Sequence, residues 1–130
     1  MSNVLEPNQE MKQKTSLWSP NRAYELRLQD DGNLVMYHGT QPIWNAWESG
    51  WKDNALKPNK DVVLKMQDDG NLVMYHNPGT VLWESDTVVG PGTNMHTLRL
   101  QDDGNLVIYE STGDSRLELA KWDIRTGKLS

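Results

Sequence analysis

Apolar and polar residues alternate at period two in three stretches of this chain: Glu25-Leu26-Arg27-Leu28, Val63-Leu64-Lys65-Met66 and Thr97-Leu98-Arg99-Leu100. Period two is the signature of a half-buried strand. Each stretch runs into Asp-Gly and then into a second alternating run, Leu34 to Tyr37, Leu72 to Tyr75 and Leu106 to Tyr109. Asp-Gly between two such runs predicts a hairpin. A two-residue loop would put Gln29 and Leu34 on one face. A three-residue loop, Asp30-Asp31-Gly32, pairs Gln29 with Asn33 and Leu28 with Leu34, with glycine in the left-handed position. The second register separates the faces. Leu26, Leu28, Leu34 and Met36 turn one way, as do Leu64, Met66, Leu72 and Met74, and Leu98, Leu100, Leu106 and Ile108. A slip of one residue would expose every one of them.

The three hairpins are copies of one unit. Residues 29–37 and 67–75 both read QDDGNLVMY, and residues 101–109 read QDDGNLVIY. Turn formers precede the copies at Pro20-Asn21, Pro58-Asn59 and Pro91-Gly92, and a tryptophan follows each, at Trp44, Trp83 and Trp122. The third connection, Glu110 to Lys121, is the longest. A single one-sided hairpin has nothing to bury its apolar face against, so the three faces must pack together. Twelve aliphatic side chains around a common axis, with the three tryptophans on further strands, predict an all-β prism with approximate threefold symmetry. The chain reads as one domain, 1–130, with a polar lead and units at about 15–50, 51–90 and 91–127.

The outward face of each hairpin carries more information than the core. Positions 25, 27 and their equivalents vary, yet Gln, Asp, Asn, Val and Tyr recur in all three copies. The valine is anomalous, because that face is expected to be exposed. The set suits a hexose: carboxylate and amides for hydroxyl groups, a phenol, and apolar surface for C–H. The spacing Q-x-D-x-N-x-V-x-Y, three times without a mismatch, resembles the mannose-binding signature of the monocot, or bulb-type, lectins. The matching residues are Gln29, Asp31, Asn33, Val35 and Tyr37; Gln67, Asp69, Asn71, Val73 and Tyr75; and Gln101, Asp103, Asn105, Val107 and Tyr109. The resemblance covers roughly residues 15 to 127. It implies a β-prism II fold of three four-stranded sheets. It implies that Asp and Asn hold the 2-hydroxyl of mannose, Gln the 3-hydroxyl and Tyr the 4-hydroxyl, with Val as the apolar contact and no metal or other cofactor. It also implies a homodimer formed by exchange of a C-terminal strand holding Trp122, Asp123 and Ile124. The absence of cysteine sets this chain apart from the plant members and nearer cysteine-free bacterial, fungal or animal relatives.

Composition narrows the classes. A net charge of −5 and no basic cluster argue against nucleic acid. No run approaches the ~20 apolar residues of a membrane span. Zero cysteines exclude a disulfide frame or a cysteine-zinc site. The segment from Met1 to Lys14 lacks the apolar core of a secretory signal, so the expectation is a cytoplasmic protein or one released by a non-classical route. The recurrent acids are neighbours on a turn, which does not suit a glycosidase and does not match a calcium loop. His38, His76 and His96 are expected at the surface near the pocket rims. Trp47 and Trp51 have no counterparts; core filling is their first reading, with a dimer surface or an extended sugar contact behind it. The resulting expectation is a non-catalytic lectin for mannose and mannose-rich glycans. A lectin-like bacteriocin or defence protein that docks through mannose is the alternative.

Overall fold

The computed structural model describes residues 2–52, 56–89, 95–111 and 118–128. Among the described residues the regular elements are all strands. In order they are β1 (Val4–Leu5), β2 (Glu10–Lys12), β3 (Thr15–Trp18), β4 (Tyr24–Leu28), β5 (Leu34–His38), β6 (Gln41–Asn45), β7 (Val62–Met66), β8 (Leu72–His76), β9 (Thr80–Glu84), β10 (His96–Leu100), β11 (Leu106–Ser111), β12 (Glu118–Asp123) and β13 (Gly127–Lys128). They build three antiparallel sheets: β3-β4-β5-β6, β2-β7-β8-β9 and β1-β10-β11-β12-β13. The third holds the same four-strand pattern, extended by the two residues of β13. The Pro91-Gly92 turn and residues 112–117 of the third connection lie outside the described residues.

The three-residue register is the observed one. Leu28 pairs with Leu34, Met66 with Leu72 and Leu100 with Leu106. The loop closes with the Gly32 N–H donating to the Gln29 carbonyl at 3.0 Å. All twelve aliphatic side chains of the predicted inward faces are buried. At about 1.5–3 kcal/mol for each large apolar side chain, this burial is the main stabilising term. Trp44 and Trp83 meet edge to face at 5.9 Å, as do Trp83 and Trp122, so the third strands add an aromatic chain to the core.

The polar lead is not a tail. Its first strand, β1, pairs with β10 in the third sheet, β2 with β7 in the second, and β3 with β4 in the first. One short segment therefore supplies an edge strand to every sheet and belts the prism together. Each of these strands sends one apolar residue inward, Leu5, Met11 or Leu17, all buried. A single inward residue is too short a pattern to show periodicity.

The turn glycines lock the units in a ring. Gly32, Gly70 and Gly104 have φ of 89°, 94° and 83°, the left-handed region that favours glycine. Each is also pressed against the next unit. A Cβ on Gly32 would lie 1.9 Å from the Pro58 carbonyl oxygen; on Gly70, 3.1 Å from the His96 ring; on Gly104, 2.5 Å from the Tyr24 ring. First unit meets second, second meets third, and third meets first.

His96 corrects a sequence expectation: it is fully buried, not at the surface. It stands at the start of β10, where alternation places it on the same face as Leu98 and Leu100. Its Nε2 is 3.5 Å from Glu110, and its ring packs against Gly70. Burial holds its pKa below the ordinary 6.5. The charge of Lys121 adds to that lowering, while those of Glu110 and Asp69 oppose it. A histidine with a lowered folded-state pKa stabilises the fold above pH 6.5, and that contribution is lost as pH falls through the folded-state value. Denaturant unfolding at neutral and mildly acidic pH should therefore show a loss of stability on acidification. A His96→Gln variant should show a smaller loss; an equal loss in both would assign it to other groups.

Candidate functional site

The recurrent polar residues lie on the outward face of each hairpin, across the central pair of strands. In every copy the tyrosine hydroxyl and the glutamine amide form a short hydrogen bond: Tyr37 with Gln29, Tyr75 with Gln67 and Tyr109 with Gln101. The Gln29 amide satisfies both its ends when its oxygen accepts from Tyr37 and its nitrogen donates to Asp31 at 3.2 and 3.3 Å. A tyrosine hydroxyl that donates in this way keeps its lone pairs for other donors. A β-bulge falls just before each tyrosine, between Met36 and Tyr37, Met74 and Tyr75, and Ile108 and Tyr109. Bulges of this kind re-aim a side chain.

The aspartates do two jobs. One oxygen of Asp31, Asp69 and Asp103 accepts the N–H of Asn33, Asn71 and Asn105, at 2.9, 3.0 and 2.9 Å. That bond stiffens the turn. A carboxylate has a second oxygen, which remains for hydroxyl donors.

Two features differ from the sequence expectation. Val35, Val73 and Val107 are not exposed; they are 5%, 2% and 3% accessible. Each sits at the centre of its sheet, and Val35 lies between Arg27 and Asn45, whose larger side chains flank it. Asn33 and Asn71 are buried as well. Their carbonyl oxygens hold the chain beyond the third strand: Asn33 accepts from the Trp47 N–H at 3.2 Å, and Asn71 from the Thr87 N–H at 3.2 Å and the Ser85 hydroxyl at 3.1 Å. The asparagines therefore anchor the fold through their side-chain oxygens.

The residue after each tryptophan was missed by sequence reasoning and makes the copies unequal. It is Asn45, Glu84 or Asp123. Asn45 turns to Glu48, at 2.6 Å. Glu84 accepts from Asn71 at 2.9 Å and is paired with Lys52, also at 2.9 Å. Hydrogen bonds from Lys52 and Asn71, helped by the Lys52 charge, hold the Glu84 carboxyl below its ordinary pKa against the effect of burial. Burial would raise Asp123, but hydrogen bonds from Thr126, Arg125 and Asn105 outweigh it and lower its pKa. The signal was present: a polar residue follows the tryptophan in all three units.

Open space adjoins the first two copies. A cavity of about 390 Å³ is lined by Arg27, Gln29, Tyr37 and Gly39. Another of about 220 Å³ is lined by Lys65, Gln67, Tyr75 and Asn77. Among the described residues no group of His, Asp or Glu is placed to hold a metal ion, and no helix is long and apolar enough to cross a membrane. Trp51 packs against the core, as expected. Trp47 stands edge-on to it at 6.4 Å, with the Lys57 ammonium 5.0 Å from its ring.

A three-sheet prism with a repeated polar cluster on each side is the architecture of a sugar-binding protein. The family described as D-mannose binding lectin matches residues 50–124. A lectin from the fungus Marasmius oreades superposes with a TM-score of 0.74 at 28% identity, covering 97% of this chain and 92% of that one. A monomeric monocot mannose-binding lectin from Gastrodia elata gives 0.73 at 32% identity, covering 97% of both chains. The mannose-specific agglutinin of snowdrop, Galanthus nivalis, solved with methyl-α-D-mannoside, gives 0.69 at 30% identity, covering 87% of this chain and 97% of that one. A search of curated proteins returns no match. The chain belongs to the D-mannose binding lectin family, a family of non-catalytic proteins, and its fold is the β-prism II of those lectins.

Proposed function

We propose that this chain binds mannose and mannose-containing glycans at three sites. They are Gln29, Asp31, Asn33, Val35 and Tyr37; Gln67, Asp69, Asn71, Val73 and Tyr75; and Gln101, Asp103, Asn105, Val107 and Tyr109. The observation that carries the reading is the linkage of tyrosine to glutamine, repeated on three outward faces of a prism whose family binds this sugar. The second aspartate oxygen and the asparagine amide meet the 2-hydroxyl, the glutamine the 3-hydroxyl and the tyrosine the 4-hydroxyl. The valine closes the floor beneath the C–H face. The snowdrop protein bound to a methyl mannoside supports the choice of sugar. Residues 1–130 act as one lectin domain with units at about 15–50, 51–90 and 91–127. A homodimer by exchange of β12 belongs to the same reading, and light scattering decides it.

A shallow one-sugar site has an affinity on the order of millimolar, about −4 kcal/mol. Several sites per chain raise the avidity for clustered glycans. Calorimetry with methyl α-D-mannoside and methyl α-D-galactoside tests the reading. Galactose inverts the 2- and 4-hydroxyls, so its affinity should be at least about tenfold lower, a difference of 1.4 kcal/mol. Absence of heat with mannoside at tens of millimolar would refute the proposal.

A further inference from the structure

The three sites share five residue types but not their surroundings. The position directly across the hairpin from the valine is Arg27, Lys65 or Arg99. In the first copy, Arg27 is 3.8 Å from Glu25 of its own strand, and the cavity at Gln29 and Tyr37 stays open. In the third copy the arginine takes another course. The Arg99 guanidinium lies over the Tyr109 ring, 4.7 Å from its centre. Both of its outer nitrogens donate to Glu118, at 3.1 and 3.0 Å.

This bridge spans three strands. Arg99 on β10 is opposite Val107, and Glu118 on β12 is opposite Ser111. Tyr109 lies midway between those two partners on the same face of β11, so the bridge passes directly above it. The pair combines the two strong forms of arginine contact, a fork onto a carboxylate and a stack on a ring. The third sheet alone is built for it, because β11 and β12 have six residues where β5 and β6 have five. That extra length brings Glu118 across from Ser111. The first and second sheets end their third strands at Gln41 and Thr80, which are not acids. The third copy is also less well anchored, since the Asn105 side-chain oxygen has no hydrogen-bond partner among the described residues, unlike those of Asn33 and Asn71.

Accordingly, resting on the mannose reading above, we propose that Arg99 and Glu118 form a clasp that covers the third site and leaves the first open to mannose. A sugar that stacked on Val107 and Tyr109 would have to displace the guanidinium from its ring and its carboxylate together. The clasp gives the chain unequal sites despite identical motifs.

Nuclear magnetic resonance titration with methyl α-D-mannoside tests this site by site, with the side-chain amide signals of Gln29, Gln67 and Gln101 as reporters. In the unmodified chain Gln29 should titrate, while Gln101 should respond at least about tenfold more weakly, the worth of roughly one strong cation–ring contact. In Arg99→Ala, and separately in Glu118→Gln, Gln101 should approach the Gln29 curve while Gln29 itself is unchanged. The second variant keeps both side chains close to their original size, so a folding defect in the first does not remove the test. Equal titration of Gln29 and Gln101 in the unmodified chain overturns the clasp and leaves the mannose reading intact. A Gln101 signal that stays silent in both variants while Gln29 responds overturns it as well. Silence at Gln29, Gln67 and Gln101 alike in every form overturns the mannose reading itself, and a silent Gln29 beside a responding Gln101 overturns the clasp alone.

Discussion

A chain carrying Asp31→Asn, Asp69→Asn and Asp103→Asn is expected to fold and melt like the original and to bind methyl α-D-mannoside at least about fivefold more weakly. The substitution separates the two jobs of the aspartate. An asparagine side-chain oxygen can still accept the N–H of Asn33, Asn71 and Asn105, which each aspartate holds at 2.9 to 3.0 Å, so the turn survives. The oxygen facing the site is replaced by an amide nitrogen, which donates where a sugar hydroxyl must also donate. Hydrogen bonds to a charged group contribute about 1.5–3 kcal/mol against about 0.5–1.5 for neutral pairs. The difference, about 1–2 kcal/mol, corresponds to roughly five- to thirtyfold in affinity. Calorimetry and a thermal melt on the same sample give both readouts. Unchanged binding beside a lowered melting temperature would show that these aspartates serve the turn alone.

Gly32→Ala should be among the most damaging single changes in the chain. At φ of 89° an L-residue adds about 1–2 kcal/mol of backbone strain. The new methyl would also stand 1.9 Å from the Pro58 carbonyl oxygen, a backbone atom that cannot rotate away. Overpacking of this kind adds about 1–3 kcal/mol. Together these amount to roughly 2–5 kcal/mol, a large fraction of the 5–15 kcal/mol that holds a typical domain folded. Urea unfolding measures the difference. Gly39→Ala is the control: Gly39 also has positive φ, at 63°, but nothing lies within 4 Å of its Cβ position. Its loss should be confined to the backbone strain. Equal losses at the two positions would mean that the contact between units carries no energy of its own.

The recurrent polar residues of the hairpins were legible because they repeat. Turn chemistry at Asp-Gly set the loop length, and alternation then assigned Gln29, Asn33 and Tyr37 to one face and Leu28, Leu34 and Met36 to the other. These are local rules, acting over fewer than ten residues, and they hold in each copy. The burial of the valines was not legible, because alternation names a face and does not say what stands beside it. Asn45 and Arg27, which flank Val35, come from the two neighbouring strands. His96 was misplaced because the period of Leu98 and Leu100 runs back through it, yet a histidine is a polar residue type expected at the surface.

The sequence by itself determined the hairpins, their register, the twelve inward aliphatic residues and the five outward types in each unit, since all of these follow from period and turn. Only the tertiary structure decided that the polar lead belts the three sheets, that each turn glycine is wedged against the next unit, and that Arg99 reaches Glu118 above Tyr109. These contacts join residues far apart in the chain, such as Leu5 and Leu98 or Gly104 and Tyr24. They exist only once three one-sided hairpins have closed around a shared core, because closure is what brings the edge of one unit against the turn of another.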